Sequence, residues 1–233
     1  AKPDKPLYLQ PDGKLAWTRP NRAKSFSEYI SDPAKPVPYT EDVHFNRTRN
    51  YMTDDQRFAS RRPDVLVFQT DTLKEDLTVT GNVIADLATS ISTTDADFVV
   101  KIIDVFPDRA GYVNIDIYAE SDPDKTYPMG GYQMLVRGEI FRGRYRKSYE
   151  NPEPFIPGKV EKLRFELPSI AHTFKKGHRL MVQLQSSWFP LADRNPQQFI
   201  DVYHCNDSDF KKATIDIYHD ATNSSSVILP VLP

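Results

Sequence analysis

Over most of its 233 residues this chain places apolar side chains two positions apart. That is the repeat of a β-strand with one buried face, because successive side chains point to opposite sides of a strand. Leu77 and Val79 keep it, as do Val83, Ala85, Leu87 and Ile91, then Phe98, Val100 and Ile102, then Val113, Ile115 and Ile117. Further runs lie at 140–146, 160–167, 180–184, 215–218 and 227–229, with Gly, Pro, Asp and Asn clusters between them. The 19 prolines, about 8% of residues against a usual 5%, punctuate the runs and keep sheet edges from pairing with other molecules. About nine to eleven strands of this kind predict an all-β fold, with antiparallel sheets packed as a sandwich or closed as a barrel.

Helical signals are short. Ser25-Phe26-Ser27-Glu28 has the capping-box form and predicts a helix of about two turns stopped by Pro33, and Asp54-Asp55-Gln56-Arg57 opens a further turn. No strand is followed by a long amphipathic helix, so the βαβ pattern of a catalytic α/β sheet is missing. Residues 1–62 differ from the rest. Leu7-Tyr8-Leu9-Gln10 and Lys14-Leu15-Ala16-Trp17 flank Pro11-Asp12-Gly13, a hairpin whose Gly13 accepts a positive φ. After it, Pro33, Pro36 and Pro38 keep the chain extended over a surface. The predicted organisation is an N-terminal hairpin and extended arm over 1–62, packing on a sandwich formed by 63–233.

Thirty basic against 32 acidic side chains, a net charge of −2, provide no large positive field, so neither nucleic acid nor an anionic membrane is an expected partner. No charge-free apolar run approaches the roughly 20 residues that cross a bilayer. The single cysteine, Cys205, excludes an internal disulfide and any Cys-x-x-Cys motif. Gly138 and Gly143 have the glycine spacing of a phosphate loop, yet the Lys-Ser/Thr is missing and the stretch reads as strand. No cofactor and no metal ion is expected.

Catalytic motifs are absent as well. No Gly-x-Ser-x-Gly occurs to place a serine on a strained strand-to-helix turn, and no His-Glu-x-x-His occurs at any of the five histidines. His172 and His178 flank the Lys175-Lys176-Gly177 turn and read as donors to loop backbone. His204-Cys205-Asn206-Asp207 with Asp209 reads as a solvated loop, and Asp95 and Asp97 as turn formers. Arg142, Arg144 and Arg146 share one face of a predicted strand. Such a ladder pairs with carboxylates, from neighbouring strands or from a partner domain. Tyr39, Phe45, Tyr51, Phe58, Trp188 and Phe189 fall in predicted loops, where an aromatic ring anchors the loop on the core or stacks on a sugar.

An ordered series of motifs carries a resemblance. Asp55-Gln56-Arg57, Arg62-Pro63-Asp64-Val65-Leu66-Val67, Leu77-Thr78-Val79-Thr80-Gly81, Asp95-Ala96-Asp97-Phe98 and Ile103-Asp104-Val105-Phe106-Pro107-Asp108 are followed by Arg142-Gly143-Arg144-Tyr145-Arg146 and Gly177-His178-Arg179-Leu180. Ser186-Ser187-Trp188-Phe189-Pro190 with Asp193-Arg194-Asn195, and Ile228-Leu229-Pro230, complete it. The series resembles the C-terminal domain of the CocE/NonD hydrolases, the X-Pro dipeptidyl-peptidase C-terminal type. With its Leu-Tyr-Leu-Gln-Pro-Asp-Gly-Lys-Leu entry it is most similar to the α-amino acid ester hydrolase and glutaryl 7-aminocephalosporanic acid acylase branch.

The resemblance implies a jelly-roll, galactose-binding-like sandwich and a partner domain. In that family the serine, aspartate and histidine of the triad belong to an upstream α/β-hydrolase domain of the same polypeptide, so no catalytic residue is carried over. An early loop of the sandwich helps wall the acyl pocket, and by position ahead of Asp55-Gln56-Arg57 the residues are Val43, His44 and Phe45. The domain-interface candidates are Tyr51, Trp188, Phe189, Arg142, Arg144 and Arg146. An apolar patch around Trp188 and Phe189, once bared, would favour a homo-oligomer. A small acyl substrate is expected only in the complete enzyme. The competing expectation is an independent carbohydrate-binding sandwich with aromatic platforms.

Overall fold

The polypeptide, seen here as a computed structural model, is described over residues 4–44, 46, 48–108, 112–114 and 126–232. Leu7 and Leu9 alternate with polar neighbours along β1 (Asp4–Gln10), which turns through Pro11–Gly13 into β2 (Lys14–Ala16). The predicted hairpin is present, with Leu9 opposite Leu15. Asp12 (φ 62°) and Gly13 (φ 69°) are both left-handed. A Cβ on Gly13 would also lie 2.9 Å from the Val67 carbonyl oxygen, so this corner requires glycine twice over.

The remaining strands are β3 (Phe26–Ser31), β4 (Leu66–Gln69), β5 (Leu77–Ile91), β6 (Asp97–Val105), β7 (Tyr112–Asn114), β8 (Thr126–Pro128), β9 (Gln133–Arg142), β10 (Glu161–Phe174), β11 (Arg179–Gln185), β12 (Ala213–Tyr218) and β13 (Ser226–Pro230). Eleven of the strands run in the order β3-β12-β5-β13-β1-β2-β4-β11-β6-β9, with β10 paired to β5; β7 and β8 form a separate ladder. Every pairing is antiparallel except a short parallel step at Lys14 and Gln69, where β2 meets β4 and the sheet passes from one layer to the other.

The alternation read from the sequence explains the core. Val83, Ala85 and Leu87 of β5, Leu163, Phe165 and Leu167 of β10, and Ile215 and Ile217 of β12 meet Phe98, Val100 and Ile102 of β6 and Leu180, Val182 and Leu184 of β11 in one buried cluster. The fold is an all-β sandwich.

β6 departs from simple alternation, because all nine of its residues are buried. On its second face Val99 packs with Tyr39, Tyr51 and Trp188 and Lys101 meets Gln56 and Phe58 of the arm, while Ile103 and Val105 pack with Val67, Leu135 and Met181. The arm is therefore a third layer over β11, β6 and β9. It is pinned by backbone bonds from Tyr39 N–H to the Phe189 carbonyl (2.9 Å), Phe189 N–H to Val37 (3.0 Å) and Gln56 N–H to Gln133 (3.0 Å).

Two local expectations are corrected. The capping-box sequence at Ser25 does not start a helix: Phe26–Ser31 is strand β3, paired with β12 from Ala213↔Ser31 to Tyr218↔Phe26. Tertiary burial outweighs the local signal there, for Tyr29 enters the core and its hydroxyl meets Ser186 Oγ at 2.7 Å. The strand predicted to run through Arg146 ends at Arg142 and becomes a 3-10 turn at Gly143–Tyr145. A Cβ on Gly143 would stand 2.7 Å from the Phe155 ring and 2.8 Å from the Ala96 carbonyl oxygen, so glycine lets the chain turn tightly against both. The turn predicted after Asp54 is the single-turn helix α1 (Arg57–Ser60).

Candidate functional site

The arm leaves its sheet contact at Tyr39, loops out over 41–53 and returns at Asp54. Asp54 closes the loop at its base, its carboxylate accepting from the Thr40 hydroxyl and, at 3.2 Å, from the Glu41 N–H. Within the loop the Thr48 N–H donates to the Tyr39 hydroxyl (3.2 Å) and the Asn50 N–H to Thr48 Oγ1 (2.9 Å). The Tyr132 hydroxyl fixes the return, donating to the Thr53 carbonyl at 2.6 Å. Between these ties Val43 is fully solvent-exposed and His44 is exposed; Phe45 lies outside the described residues.

Tyr51 joins this loop to the sandwich. Its ring packs on Tyr39 (centroids 5.4 Å apart) and meets Trp188 edge-on (6.1 Å, 85°). Trp188 is 6% exposed and lies against β9 at Gly138, where a Cβ would fall 2.8 Å from the indole. Beside Gly138, across the β6–β9 ladder, is Lys101, whose ammonium lies 5.3 Å from the indole centroid. Lys101 is wholly buried. It donates to Gln56 Oε1 (3.0 Å), lies 5.8 Å from the Phe58 centroid, and burial brings its pKa down to about 7. Phe189 is partly exposed, with the Arg194 guanidinium 5.8 Å from its ring.

The arginines separate in the structure. Arg142 makes a bidentate pair with Asp97 (3.0 and 3.2 Å) and reaches Asp193 at 3.4 Å. Burial opposes charge on both partners and pushes the Asp97 carboxyl up, whereas its bonds to Asp97 hold Arg142 above the usual guanidinium range. Arg144 turns inward to Asp95 (2.7 Å) and to the carbonyls of Ile200 (3.0 Å) and Gln198 (3.2 Å). Asn195 joins the two pairs, its amide donating to Asp95 (3.1 Å) and Asp97 (2.8 Å). Arg146 lies over Phe155, 4.0 Å from the ring centroid, and donates to the carbonyls of Glu153 and Pro154, each at 2.9 Å. Asp95 and Asp97 thus bind arginine instead of forming turns. Their spacing two apart, matched by that of Arg142 and Arg144, was the sequence signal for the network.

Two histidine arrangements were not anticipated. His172 and His178 clasp the buried Asp104 carboxylate, Nε2 at 2.9 Å and Nδ1 at 2.8 Å, rather than binding loop backbone. Ser27 Oγ and His219 Nε2 are 3.0 Å apart, the contact a serine nucleophile needs with its base. His219 Nδ1, however, is buried without a partner among the described residues, none of whose carboxylates orients the ring, and burial holds the imidazole below its usual pKa. In the 201–209 loop His204 binds Asp201 (2.7 Å), and Asn206 and Asp209 cap a short turn. Among the described residues no three His, Cys, Asp or Glu side chains gather as a metal-binding set, and no helix is long and apolar enough to cross a membrane.

The sequence profile of the X-Pro dipeptidyl-peptidase C-terminal non-catalytic domain matches residues 1–228. The chain belongs to that family. Cocaine esterase from Rhodococcus sp. (strain MB1 Bresler) is 30% identical over 209 residues, 90% of this chain and 33% of the esterase. Among solved structures, an aminopeptidase from a marine sediment Thaumarchaeota archaeon superposes with a TM-score of 0.89 at 40% identity, over all of this chain and 37% of the aminopeptidase. An α-amino acid ester hydrolase superposes at 0.88 with 42% identity, over 98% of this chain and 36% of the hydrolase. The X-Pro dipeptidyl-peptidase C-terminal domain described here thus spans about a third of the length of these relatives. It is a non-catalytic C-terminal domain of the CocE/NonD type, as its ordered motifs lead one to expect.

Proposed function

We propose that this domain completes a serine hydrolase acting on acyl esters or amides, of the α-amino acid ester hydrolase or acylase kind. It supports an α/β-hydrolase domain of the same polypeptide and helps wall the acyl pocket. The sandwich is of the jelly-roll, galactose-binding-like type. In this reading the triad lies on the α/β-hydrolase domain and the reaction passes through an acyl-enzyme. Val43 and His44, with Phe45 next to them in sequence, line the acyl side of the pocket in this reading, where an apolar wall excludes water and discriminates acyl groups by shape. The domain-interface residues in this reading are Tyr51, Trp188, Phe189, Arg142, Arg144 and Arg146, of which Trp188 and Arg144 are buried and would act by holding their exposed neighbours in place.

The observation that carries this reading is a loop tied at its base by Asp54 and bearing a fully exposed valine, on a domain 42% identical to the matching third of an α-amino acid ester hydrolase. Kinetics of the full-length polypeptide carrying Val43→Asp test it. The expected result is a several-fold rise in KM for substrates with bulky apolar acyl groups and little change for acetyl esters. An unchanged acyl preference would remove the loop from the pocket. The 233-residue chain alone, assayed with activated esters, is expected to give background hydrolysis only.

A further inference from the structure

Lys101 sits on the covered face of β6 with all of its side chain out of solvent. Such a group is rare, because an ammonium leaving water loses its hydration and normally recovers it from a carboxylate. Among the described residues no carboxylate pairs with Lys101. Its one hydrogen bond runs to the neutral amide of Gln56, and two rings, Phe58 and Trp188, stand 5.8 and 5.3 Å from it. Gln56 and Phe58 belong to the arm, and Trp188 carries Tyr51 of the loop, so every partner of this amine is part of the covering layer or touches it.

The charged groups on the surrounding elements are engaged elsewhere. From the arm, Asp54 holds Thr40 and Glu41, and Asp55 is bound to Arg57. From β9, Arg137 donates to the Ser169 carbonyl and Glu139 accepts from the Ile140 N–H. Facing Lys101 across the β6–β11 ladder is Gln183, which is neutral and has a buried Oε1 with no partner among the described residues. The titratable phenols of the layer are Tyr39, bonded to Thr48, and Tyr51, packed between Tyr39 and Trp188. Lifting the arm would return Lys101 to water, whereas closing it strips the amine of hydration and offers one amide oxygen in exchange.

We propose that Lys101 is a proton-sensitive positioning residue beneath the arm: the neutral amine lets residues 54–65, which bring Gln56 and Phe58, lie closed on β6, and the ammonium favours lifting that stretch. Linkage fixes the sign. The closed form binds the Lys101 proton with a pKa near 7, and the open form with the usual lysine value of 10.5. The closed arm therefore gains on the open one as pH rises between those values, by up to tenfold per pH unit. The consequence for acyl-pocket geometry rests on the reading of the 41–53 loop given above; the latch itself does not.

Two measurements on the 233-residue chain test the latch without an activity assay. Trp17 and Trp188 are its only tryptophans. In Trp17→Phe, Trp188 fluorescence should titrate with a midpoint near pH 7, and the transition should vanish in Trp17→Phe/Lys101→Met. Hydrogen exchange of the Ala59 and Ser60 amides, corrected for intrinsic rates, should slow as pH rises from 7 to 10. In Lys101→Met these amides should already be slow at pH 7 and show no slope. A fluorescence transition that survives in the double variant, or arm protection that follows pH equally with and without Lys101, would overturn the proposal. Because Trp17→Phe leaves Lys101 in place, the titration stands even where the methionine variant fails to fold. In that case, absence of a transition near pH 7 would refute the latch. A latch that titrates in a full-length enzyme whose Val43→Asp variant keeps its acyl preference would overturn the pocket reading and leave the latch intact.

Discussion

Individual side chains here show what burial demands of charge. Arg144 and Asp95 are both buried, and the guanidinium is satisfied by one carboxylate, two carbonyls and the Phe199 face at 4.9 Å. Removing one partner of such a pair leaves the other uncompensated, at a typical cost of about 3–5 kcal/mol, whereas removing both leaves a neutral gap. Arg144→Met should therefore lower the urea midpoint sharply, and Asp95→Asn/Arg144→Met should recover part of the loss. An additive double variant would show that the two residues do not act as a pair. The sequence displayed these residues without their meaning. Asp95 and Asp97 have the spacing of turn formers as well as of a strand start, and only the antiparallel register of β6 with β9, Asp97 opposite Arg142, decides between them.

At the scale of elements, hairpin and strand positions were legible because their causes are local: alternation along β5 and β10, and left-handed residues at the Pro11–Gly13 corner. The β3 strand was illegible for the opposite reason. Its capping box is a complete local signal, and the ladder with β12 that overrides it joins residues nearly 190 positions apart in sequence, as at Tyr29↔Ile215. The third layer had a signal that alternation alone passes over. Phe98-Val99-Val100-Lys101-Ile102-Ile103 is almost continuously apolar, the mark of a strand covered on both faces, and the one lysine in it marks where the cover is polar. β9 adapts to that cover by omitting a side chain at Gly138. Gly138→Val should displace Trp188, cost about 1–3 kcal/mol as overpacking does, and reduce the near-ultraviolet dichroism of the indole. Unchanged Trp188 spectra would show that the indole does not need the gap. The 41–53 loop proposed for the acyl pocket is suggested by family likeness alone, since no periodicity marks it; its tie to Asp54 is a feature of the folded chain.

For the molecule as a whole, two buried groups set opposite limits on stability against alkali. Lys101 has a lowered folded pKa, so the unfolded chain binds more protons between about 7 and 10.5 and stability climbs with pH there, by at most about 1.4 kcal/mol per unit. Tyr29 is held protonated above its usual range, chiefly by burial, so the native state keeps a proton that the unfolded chain releases above 10. Its contribution is complete below pH 10 and is lost as pH rises further. Urea midpoints should therefore rise from pH 7, turn over near pH 10, and lose the rising limb in Lys101→Met. A midpoint flat between pH 7 and 9.5 in the parent chain would remove Lys101 from this account.

β1 and β13 are antiparallel neighbours, with Asp4 opposite Pro230 and Tyr8 opposite Ser226. Tension applied between residues 4 and 230 therefore loads the ladder at one end and opens it like a zipper, a hydrogen bond at a time, instead of shearing all of its bonds together. A sandwich strong against heat can in this way be weak against pulling, and a polypeptide joined at both of these points would transmit strain into β5 as soon as the first pairs part.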